Sequence, residues 1–199
     1  MAVDPKTVAK LRADTGAGMM DCKKALLEVD GDLEKAKDLL RKKGLEVAAK
    51  KSGRSTNNGW IGSYIHHNGR VGVLVELQCE TDFVAKGELF QTLLKDVCMH
   101  IAMANPVATK REEIPEDLVA RERNVIEAQV PPGKPPEVVA KIVEGKLNSY
   151  FQERCLLDQK FIKDDKQTVN ELLTEYIQKI GENISVGNFS RFELGAGGD

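Results

Sequence analysis

Residues 60–86 have the sequence WIGSYIHHNGRVGVLVELQCETDFVAK. Asn68-Gly69 in its middle is a strong hairpin turn signal, because both positions tolerate a positive φ. Pairing His67 with Arg70 and counting outward places every second residue of the two strands on one face. That face, which we expect to be buried, consists of Trp60, Tyr64, Val71, Val73, Val75 and Leu77. The stretch therefore predicts an antiparallel hairpin that runs directly into Thr81-Asp82-Phe83.

The segment before the hairpin predicts three short helices. Asp4 and Asp32 can cap helix N-termini, and Pro5 suits a first helical position, where its missing N–H costs nothing. Thr15–Gly18 breaks the chain between the first two helices. Apolar residues at helical spacing mark the stripes of the second and third helices: Met19, Cys22, Ala25 and Leu26, then Leu33, Ala36, Leu39 and Leu40.

Further helices and one strand are expected after the hairpin. Apolar spacing predicts helices from Phe83 to about Met103, from Pro115, after Pro136 and from Thr168, where a capping box begins. Residues 184–194 alternate like a strand and are expected to join the hairpin as a third antiparallel strand. Gly187-Asn188 interrupts the alternation of this strand and predicts a bulge.

These elements predict an α+β fold with a three-helix N-terminal module, followed by a small antiparallel three-stranded sheet packed with helices. We expect the module over residues 1–44 and a connector over 45–59, the first half of which has helical character. The core, which would also be the dimerisation domain, is expected over 60–194, and a disordered tail over 195–199.

The composition is that of an ordinary globular protein, with 30% charged and 41% hydrophobic residues among 199. No apolar run is long enough to span a bilayer, and the first five residues do not resemble a secretion signal. Four cysteines stand far apart and form no CxxC motif, which argues against a zinc site or a disulfide framework. We therefore expect free thiols, a cytoplasmic location and no membrane contact.

The charge is small overall but unevenly distributed. The net charge is −2, yet residues 1–54 hold 13 basic against 9 acidic side chains, and the remainder holds 16 against 22. This asymmetry fits either a contact with an acidic partner or an ordinary solvated helical face. The basic clusters 41–43 and 50–51 lack interleaved aromatic residues, so a solvated surface is favoured over RNA and no direct nucleic-acid contact is expected.

The sequence offers no convincing catalytic or metal site. Gly16-Ala17-Gly18 lacks the spacing of a phosphate loop and follows a helix, which favours a helix–helix turn. His66-His67 are adjacent in a predicted strand, so their imidazoles are expected to diverge. No nucleophile stands beside a base in a local motif. We expect no catalytic residue, no bound metal and no cofactor, and the chain is not predicted to be an enzyme.

Asp82-Phe83 has two interpretations. In the first, which the pattern alone favours, Thr81 or Asp82 caps the following helix and Phe83 packs inward. In the second, Phe83 points outward as an anchor for a partner protein, with Asp82 beside it.

Four groups of residues, in order along nearly the whole chain, resemble bacterial translation elongation factor Ts, the guanine-nucleotide exchange factor of elongation factor Tu. They are residues 8–12 with 15–26, residues 81–85, residues 141–146 and residues 156–161. The resemblance implies that Thr81, Asp82, Phe83 and Val84 form the motif that dislodges Mg²⁺ from elongation factor Tu, with the phenylalanine as an outward wedge. It also implies that the N-terminal module is of the ubiquitin-associated type.

In that module, Arg12, Met19 and Met20 match positions that face the GTPase domain of elongation factor Tu. Met20 lies off the apolar stripe of its helix, in agreement with this role. Lys86-Gly87 departs from the Arg-Asn that is usual in the family, which leaves the start of the next helix open. The chain also has one core subdomain where longer members have two, and this implies a homodimer, for which we expect Phe189 and Phe192 to supply an edge.

Two other classes of function remain open from the residues. The N-terminal module fits a generic binding adaptor equally well, and only the core motifs separate that reading from the exchange factor. An RNA-binding protein would predict affinity that falls steeply with salt, and the acidic body argues against it.

Overall fold

The computed structural model describes residues 3–196 of the chain. Its helices are α1 (Pro5–Thr15), α2 (Met19–Glu28), α3 (Leu33–Lys51), α4 (Asp82–Ala85), α5 (Glu88–Ala104), α6 (Glu116–Ala128), α7 (Pro136–Arg154) and α8 (Val169–Ile180). Its strands are β1 (Asn58–Ile65), β2 (Val71–Cys79), β3 (Lys160–Phe161), β4 (Asp164–Thr168) and β5 (Ile184–Glu193). Single turns of 3₁₀ helix occur at 111–113 and 156–158. The α+β prediction is confirmed.

The three N-terminal helices enclose a small core of their own. The Asp4 carboxylate accepts a hydrogen bond from the Lys6 amide at 3.1 Å, and Asp32 accepts from two amides at the start of α3, so both predicted caps are confirmed. The buried residues of this core are Val8, Leu11, Ala17, Cys22, Ala25, Leu26, Ala36 and Leu40. Met19, which we expected in the buried stripe, is instead 45% exposed at the first position of α2.

The third helix does not end at the predicted module boundary. It continues through Gly44 to Lys51, so the first half of the expected connector is helical, and only residues 52–57 are irregular before β1 begins. The Gly44 face of α3 lies against α8, where a Cβ at position 44 would stand 2.8 Å from the Gln178 Oε1 atom. Arg41 of α3 forms an ion pair with Glu171 of α8. The N-terminal helices are therefore joined to the core by packed helices as well as by the chain.

The hairpin has the predicted register, with Tyr64 opposite Val73. Its turn differs from a two-residue loop: the His66 and Val71 backbones pair, and only Gly69 has a positive φ, of 68°. Both arrangements are centred between Asn68 and Gly69, so they give the same register. Trp60, expected to be buried, is 47% exposed and lies on β1, one of the two edge strands of the sheet.

The last strand pairs with β2, which confirms a three-stranded antiparallel sheet in the order β1-β2-β5. The register of β2 and β5 shifts between Val75 and Leu77, where Gly187 and Asn188 of β5 lie opposite the single residue Glu76, as predicted for a bulge. A second sheet of two short strands, β3 and β4, was not predicted.

One face of the three-stranded sheet is covered by α5 and α8 and forms the main core. Its most deeply buried members are Val75, Leu77, Cys79, Phe90, Leu93, Val97, Ile101, Leu156 and Val169. The capping box at the start of α8 is present, with the Thr168 amide donating to Glu171 and the Glu171 amide donating to Thr168. Ala48 of α3 also packs against this cluster.

Helices α6 and α7 form an antiparallel pair whose own small core contains Ile126, Val143 and Leu147. Three apolar residues of these helices are more than a third exposed: Leu118, Val125 and Val138. A pair of helices buries apolar residues only along their mutual seam, so the stripe is narrower than its sequence pattern indicates.

The predicted tail lies partly beyond the described residues. Residues 197–199 fall outside them, while the Ala196 amide donates to the Glu193 carbonyl at 3.1 Å and closes a turn after β5. Between residues 3 and 196, no helix combines the length and the apolar character needed to cross a membrane.

Candidate functional site

Phe83 is the second residue of α4, directly after the corner at which the chain leaves β2. Thr81 is extended, with φ −128° and ψ 153°, and its hydroxyl oxygen accepts a hydrogen bond from the Val84 amide at 3.3 Å, so Thr81 caps α4. Ala85 is buried and Val84 is half-buried against the sheet, whereas Phe83 is 83% exposed. No other large apolar side chain within the described part of the chain is exposed to this degree.

The two interpretations of Asp82-Phe83 are each right in one respect. Thr81 caps the helix, as the structural interpretation predicted, but Phe83 points to solvent, as the partner interpretation predicted. Exposing a phenylalanine forgoes about 1.5–3 kcal/mol of burial. A corner that is otherwise well packed thus carries an unburied aromatic ring.

Asp82 and Lys86 complete the exposed side of this corner. The Lys86 ammonium donates to the Asp82 carboxylate at 2.9 Å, and this bond lowers the pKa of Asp82. After Lys86 the helix breaks, and Gly87 acts as the N-cap of α5 with φ −69° and ψ 146°. The long helix after the Lys86-Gly87 pair therefore begins at Glu88.

The N-terminal candidates gather around a different corner. Gly16, with φ 66°, ends α1 by donating to the Arg12 carbonyl at 2.7 Å, and residues 16–18 turn the chain into α2. The structure thus confirms a helix–helix turn here. Arg12 precedes this turn and is exposed, while Met20, the second residue of α2, is 62% exposed. No hydrogen bond or ion pair within residues 3–196 connects this corner to that of Phe83.

The sequence reasoning missed Leu27, a further apolar residue on the exposed side of α2. Leu27 is 47% exposed and lies seven residues after Met20, which is two helical turns along the same face. The heptad spacing from Met20 was the available signal. Together with Met19, the two residues give α2 an apolar solvent-facing strip.

The outer face of the three-stranded sheet is also apolar and uncovered within the described residues. Its exposed side chains range from 49% to 67% exposure and are Ile61, Ile65, Leu74 and Phe192, and Leu194, one residue past β5, is also exposed. Phe189, which we expected beside Phe192, belongs to the opposite face and packs against the core. The predicted edge of β5 is thus better described as a face that all three strands share.

The histidines and cysteines provide no obvious centre for chemistry. The imidazoles of His66 and His67 do not diverge as expected, because both residues lie past the end of β1, and their ring centroids are 4.2 Å apart. No group of three or more potential metal ligands occurs in the described part of the chain. All four cysteines are free and buried, and burial raises the pKa of Cys98 to about 11.

His100 is a buried structural residue. Its Nε2 atom lies 3.0 Å from Gln159 Oε1, and its Nδ1 atom accepts a hydrogen bond from the Ile162 amide at 3.4 Å. This arrangement requires a neutral ring that donates through Nε2. Burial lowers the pKa of His100 and favours the same neutral form.

Part of the N-terminal basic surface is already paired within the chain. Lys43 donates to Glu28 at 2.9 Å and Arg41 pairs with Glu171, so two side chains of the cluster 41–43 have acidic partners. This pairing agrees with the solvated-surface interpretation.

Comparison with known proteins adds a family to these observations. A family model described as Elongation factor TS matches residues 33–196. An elongation factor Ts of Geobacter sulfurreducens is 52% identical over 198 residues, covering 99% of this chain and 92% of that protein. An elongation factor Ts of Caldanaerobacter subterraneus subsp. tengcongensis is 50% identical over 196 residues, covering 98% of each chain. With half of its residues identical over almost its full length, and with the family model matched from α3 onward, the chain belongs to the elongation factor Ts family.

Proposed function

We propose that this protein is a guanine-nucleotide exchange factor in translation elongation. It binds elongation factor Tu, displaces Mg²⁺ and promotes GDP release, so that elongation factor Tu can reload with GTP. Membership of the elongation factor Ts family supports the general role. The observation that carries the mechanism is Phe83, an aromatic ring that is 83% exposed on a packed corner.

Exchange of this kind needs no catalytic group on the factor, and no contact with the nucleotide. The factor must bind nucleotide-free elongation factor Tu more tightly than the GDP-bound form, and by reciprocity GDP then binds more weakly by the same ratio. Each ~1.4 kcal/mol of such coupling weakens GDP binding tenfold. Removing Mg²⁺ contributes to this coupling, because the ion neutralises phosphate charge in the nucleotide site.

Residues 81–84 have different roles in this proposal. Phe83 is the wedge that enters the GTPase domain, and Asp82, beside it on the solvent side, makes a polar contact there. Thr81 shapes the corner as the helix cap, and Val84 anchors α4 to the sheet. Asp82 can exchange its exposed partner Lys86 for a group on elongation factor Tu at small cost, since exposed ion pairs are weak.

The N-terminal corner is proposed as a second contact with the GTPase domain. Arg12, Met19 and Met20 match the family positions for this contact, and Leu27 extends the same exposed side of α2. We also propose that α1 to α3 form a ubiquitin-associated-type module, an assignment supported by three consecutive helices with a separate apolar core.

We also propose a division of the chain into a module over 1–44, a connector over 45–59 and a core over 60–194, with α3 extending into the connector. The two apolar cores share no buried residue, which supports separate units. Helix α3 belongs to both, because Leu40 is buried in the first core and Ala48 packs on the second. The connector would therefore act as a rigid strut up to Lys51.

A homodimer is proposed as the working form of the protein. The supporting observation is the apolar outer face of the sheet, because large exposed apolar patches mark interaction sites. Two such faces packed against each other would form a sandwich of two sheets. All four cysteines are buried, so this association does not call for a cross-link.

The exchange proposal is tested by following release of a fluorescent GDP analogue from a bacterial elongation factor Tu. The wild-type protein should accelerate release strongly, and Phe83→Ala should abolish most of the acceleration. Met103→Ala is the matched control: this side chain is 58% exposed but lies near the other end of α5, about 22 Å along the helix from its start. No acceleration by the wild-type protein would refute the exchange-factor proposal.

The dimer is tested by light scattering at micromolar concentration. The wild-type protein should have twice the mass of its 22.0 kDa chain, and Leu74→Glu, at the centre of the outer face, should give the monomer mass. A monomeric wild-type protein would contradict the dimer without affecting the exchange proposal.

A further inference from the structure

The two strands that lead to the Phe83 corner stop pairing just before it. The last backbone pair of β2 and β5 is Cys79 with Ile184. Continuing this register by one and two residues brings Glu80 opposite Asn183 and Thr81 opposite Glu182. There the chains separate, one into α4 and the other toward α8, and neither the Thr81 amide nor the Asn183 amide donates to a backbone carbonyl.

Two glutamates serve as the acceptors instead, Glu80 directly after β2 and Glu182 two residues before β5. The Thr81 amide donates to Glu182 Oε2 at 3.0 Å, and the Asn183 amide donates to Glu80 Oε1 at 2.6 Å. We call this reciprocal arrangement of Glu80, Thr81, Glu182 and Asn183 the carboxylate clasp. Hydrogen bonds from amides to charged acceptors are stronger than those between neutral groups, so the clasp fixes the corner more firmly than a ladder pair would.

Glu182 controls the side chain of Thr81 as well as its backbone. The Thr81 hydroxyl donates to Glu182 Oε1 at 2.7 Å, and the same hydroxyl oxygen accepts from the Val84 amide at 3.3 Å. Because the hydroxyl proton is directed to Glu182, a lone pair of the oxygen is free to face Val84. One carboxylate thereby sets the cap that orients the first turn of α4.

We propose that Glu182 is a positioning residue for the exchange reaction, holding Phe83 in its wedge orientation through Thr81. This inference rests on the proposed function. Glu182 does not touch elongation factor Tu in this mechanism; it acts by fixing the residue that begins α4.

The corner depends on the hydrogen bonds from Glu182 because α4 cannot fix its own direction. A helix of four residues is far too short to be stable by itself, so its direction is set by the groups at its ends and by what it buries. Val84 and Ala85 fix the buried side, and the clasp fixes the N-terminal end.

Glu182 is itself held in place. It follows Gly181, whose amide donates to the Ile177 carbonyl at 2.9 Å and whose φ of 87° ends α8. It precedes Asn183, whose side-chain amide donates to the Arg54 carbonyl at 3.0 Å. The carboxylate thus projects from a fixed turn, which is what a positioning residue requires.

The test compares GDP release from elongation factor Tu for the wild-type protein, Glu182→Ala and Glu182→Gln, each also combined with Phe83→Ala. Glu182→Ala should lower the second-order rate constant for release about tenfold, a factor that corresponds to ~1.4 kcal/mol. Glu182→Gln should fall between, because its single carbonyl oxygen replaces only one of two acceptors. In the Phe83→Ala background, both substitutions should have almost no effect, since residues that act through one another are not additive.

Glu113→Ala is the matched control. Glu113 also accepts backbone amides, from Thr109 at 3.0 Å and Lys110 at 3.3 Å, but in the segment before α6. It should leave the release rate unchanged. Hydrogen exchange provides a second readout: the Thr81 and Val84 amides should exchange faster in Glu182→Ala, while the amides of α5 remain protected.

Each outcome has a distinct meaning. If the wild-type protein does not accelerate release, the proposed function fails and the inference fails with it. If the wild-type protein is active and Glu182→Ala is equally active, only the inference is overturned. If Glu182→Ala lowers the rate equally with and without Phe83, its effect is a general loss of structure, and the positioning role is refuted.

Discussion

Substitution of Gly44 tests how the N-terminal helices are joined to the core. Gly44 lies within α3 and faces α8, where a Cβ would stand 2.8 Å from Gln178 Oε1 and 3.7 Å from Thr174 Cγ2. The first atom is at the end of a flexible side chain and can move. Replacing a glycine in a helix interior by alanine gains about 1 kcal/mol in helix propensity. Gly44→Ala should therefore raise the free energy of unfolding by up to about 1 kcal/mol, or the midpoint by about 2–4 °C.

Leucine at the same position should have the opposite effect and lower the free energy of unfolding. Its additional carbons extend toward Thr174, which is only 7% exposed and packed in the core, so the two helices must separate. Overpacking of this kind costs about 1–3 kcal/mol. Gly145, in the interior of α7, is the matched control because an added Cβ would meet nothing within 4 Å. Alanine and leucine there should both stabilise, since their helix propensities are similar.

The assay is thermal and urea unfolding followed by circular dichroism, on the wild-type protein and the four variants. The deciding quantity is the difference between leucine and alanine at each position, which we expect to be ~2 kcal/mol at Gly44 and close to zero at Gly145. Equal differences at the two positions would mean that α3 does not pack closely on α8. The strut described above would then be wrong, and the N-terminal helices would be tethered only by the chain.

Three further predictions follow from burial and hydrogen bonding. Phe83→Ala should leave the unfolding midpoint almost unchanged, whereas Phe90→Ala, at a fully buried position, should cost about 3–5 kcal/mol; similar losses in calorimetry would contradict the exposed placement of Phe83. Burial lowers the pKa of His100, so the stability contributed by its neutral ring is complete above the ordinary pKa of 6.5 and is lost as the pH falls below it. In His100→Gln, the free energy of unfolding in urea should therefore change less between pH 7 and pH 5 than in the wild-type protein. An unchanged pH dependence would exclude His100 as its cause. Thr168→Ala removes the cap of α8 and should cost about 0.5–2 kcal/mol, while an equally stable variant would show that the capping box contributes nothing.

The register of the hairpin could be predicted from sequence because it follows from counting residues outward from the centre of the turn. Any turn centred between Asn68 and Gly69 pairs Tyr64 with Val73, whether the loop contains two residues or four. The caps at Asp4, Asp32 and Thr168 were predictable for a similar reason, since each rests on residues within one helical turn. Local rules are sufficient wherever the partners are local.

The features that the sequence did not predict depend instead on contacts between residues that are distant in sequence. Strands β3 and β4 gave no signal, because Asp164–Thr168 is polar throughout and pairs only with a two-residue strand. Met19 and Trp60 both fit an apolar pattern but are exposed, the first at a helix start and the second on an edge strand. The carboxylate clasp joins residues about a hundred positions apart in sequence, so no motif could have revealed it.

The orientation of Phe83 shows why sequence pattern alone favoured the wrong side. Successive residues of a helix are separated by about 100°, so in a helix of one turn Phe83 and Ala85 are about 160° apart by the shorter way round. Burying one of them therefore exposes the other. A small alanine permits α4 to approach the sheet closely, and its burial at 2% exposure, with Val84 beside it, leaves Phe83 facing solvent. Hydrophobicity alone would select the phenylalanine for burial, since its larger surface gains more. The corner adopts the other solution because Glu182, outside α4, accepts hydrogen bonds from the amide and the hydroxyl of the cap residue Thr81. An exposed aromatic ring held in this way can meet a partner without a further entropic cost of ordering the backbone.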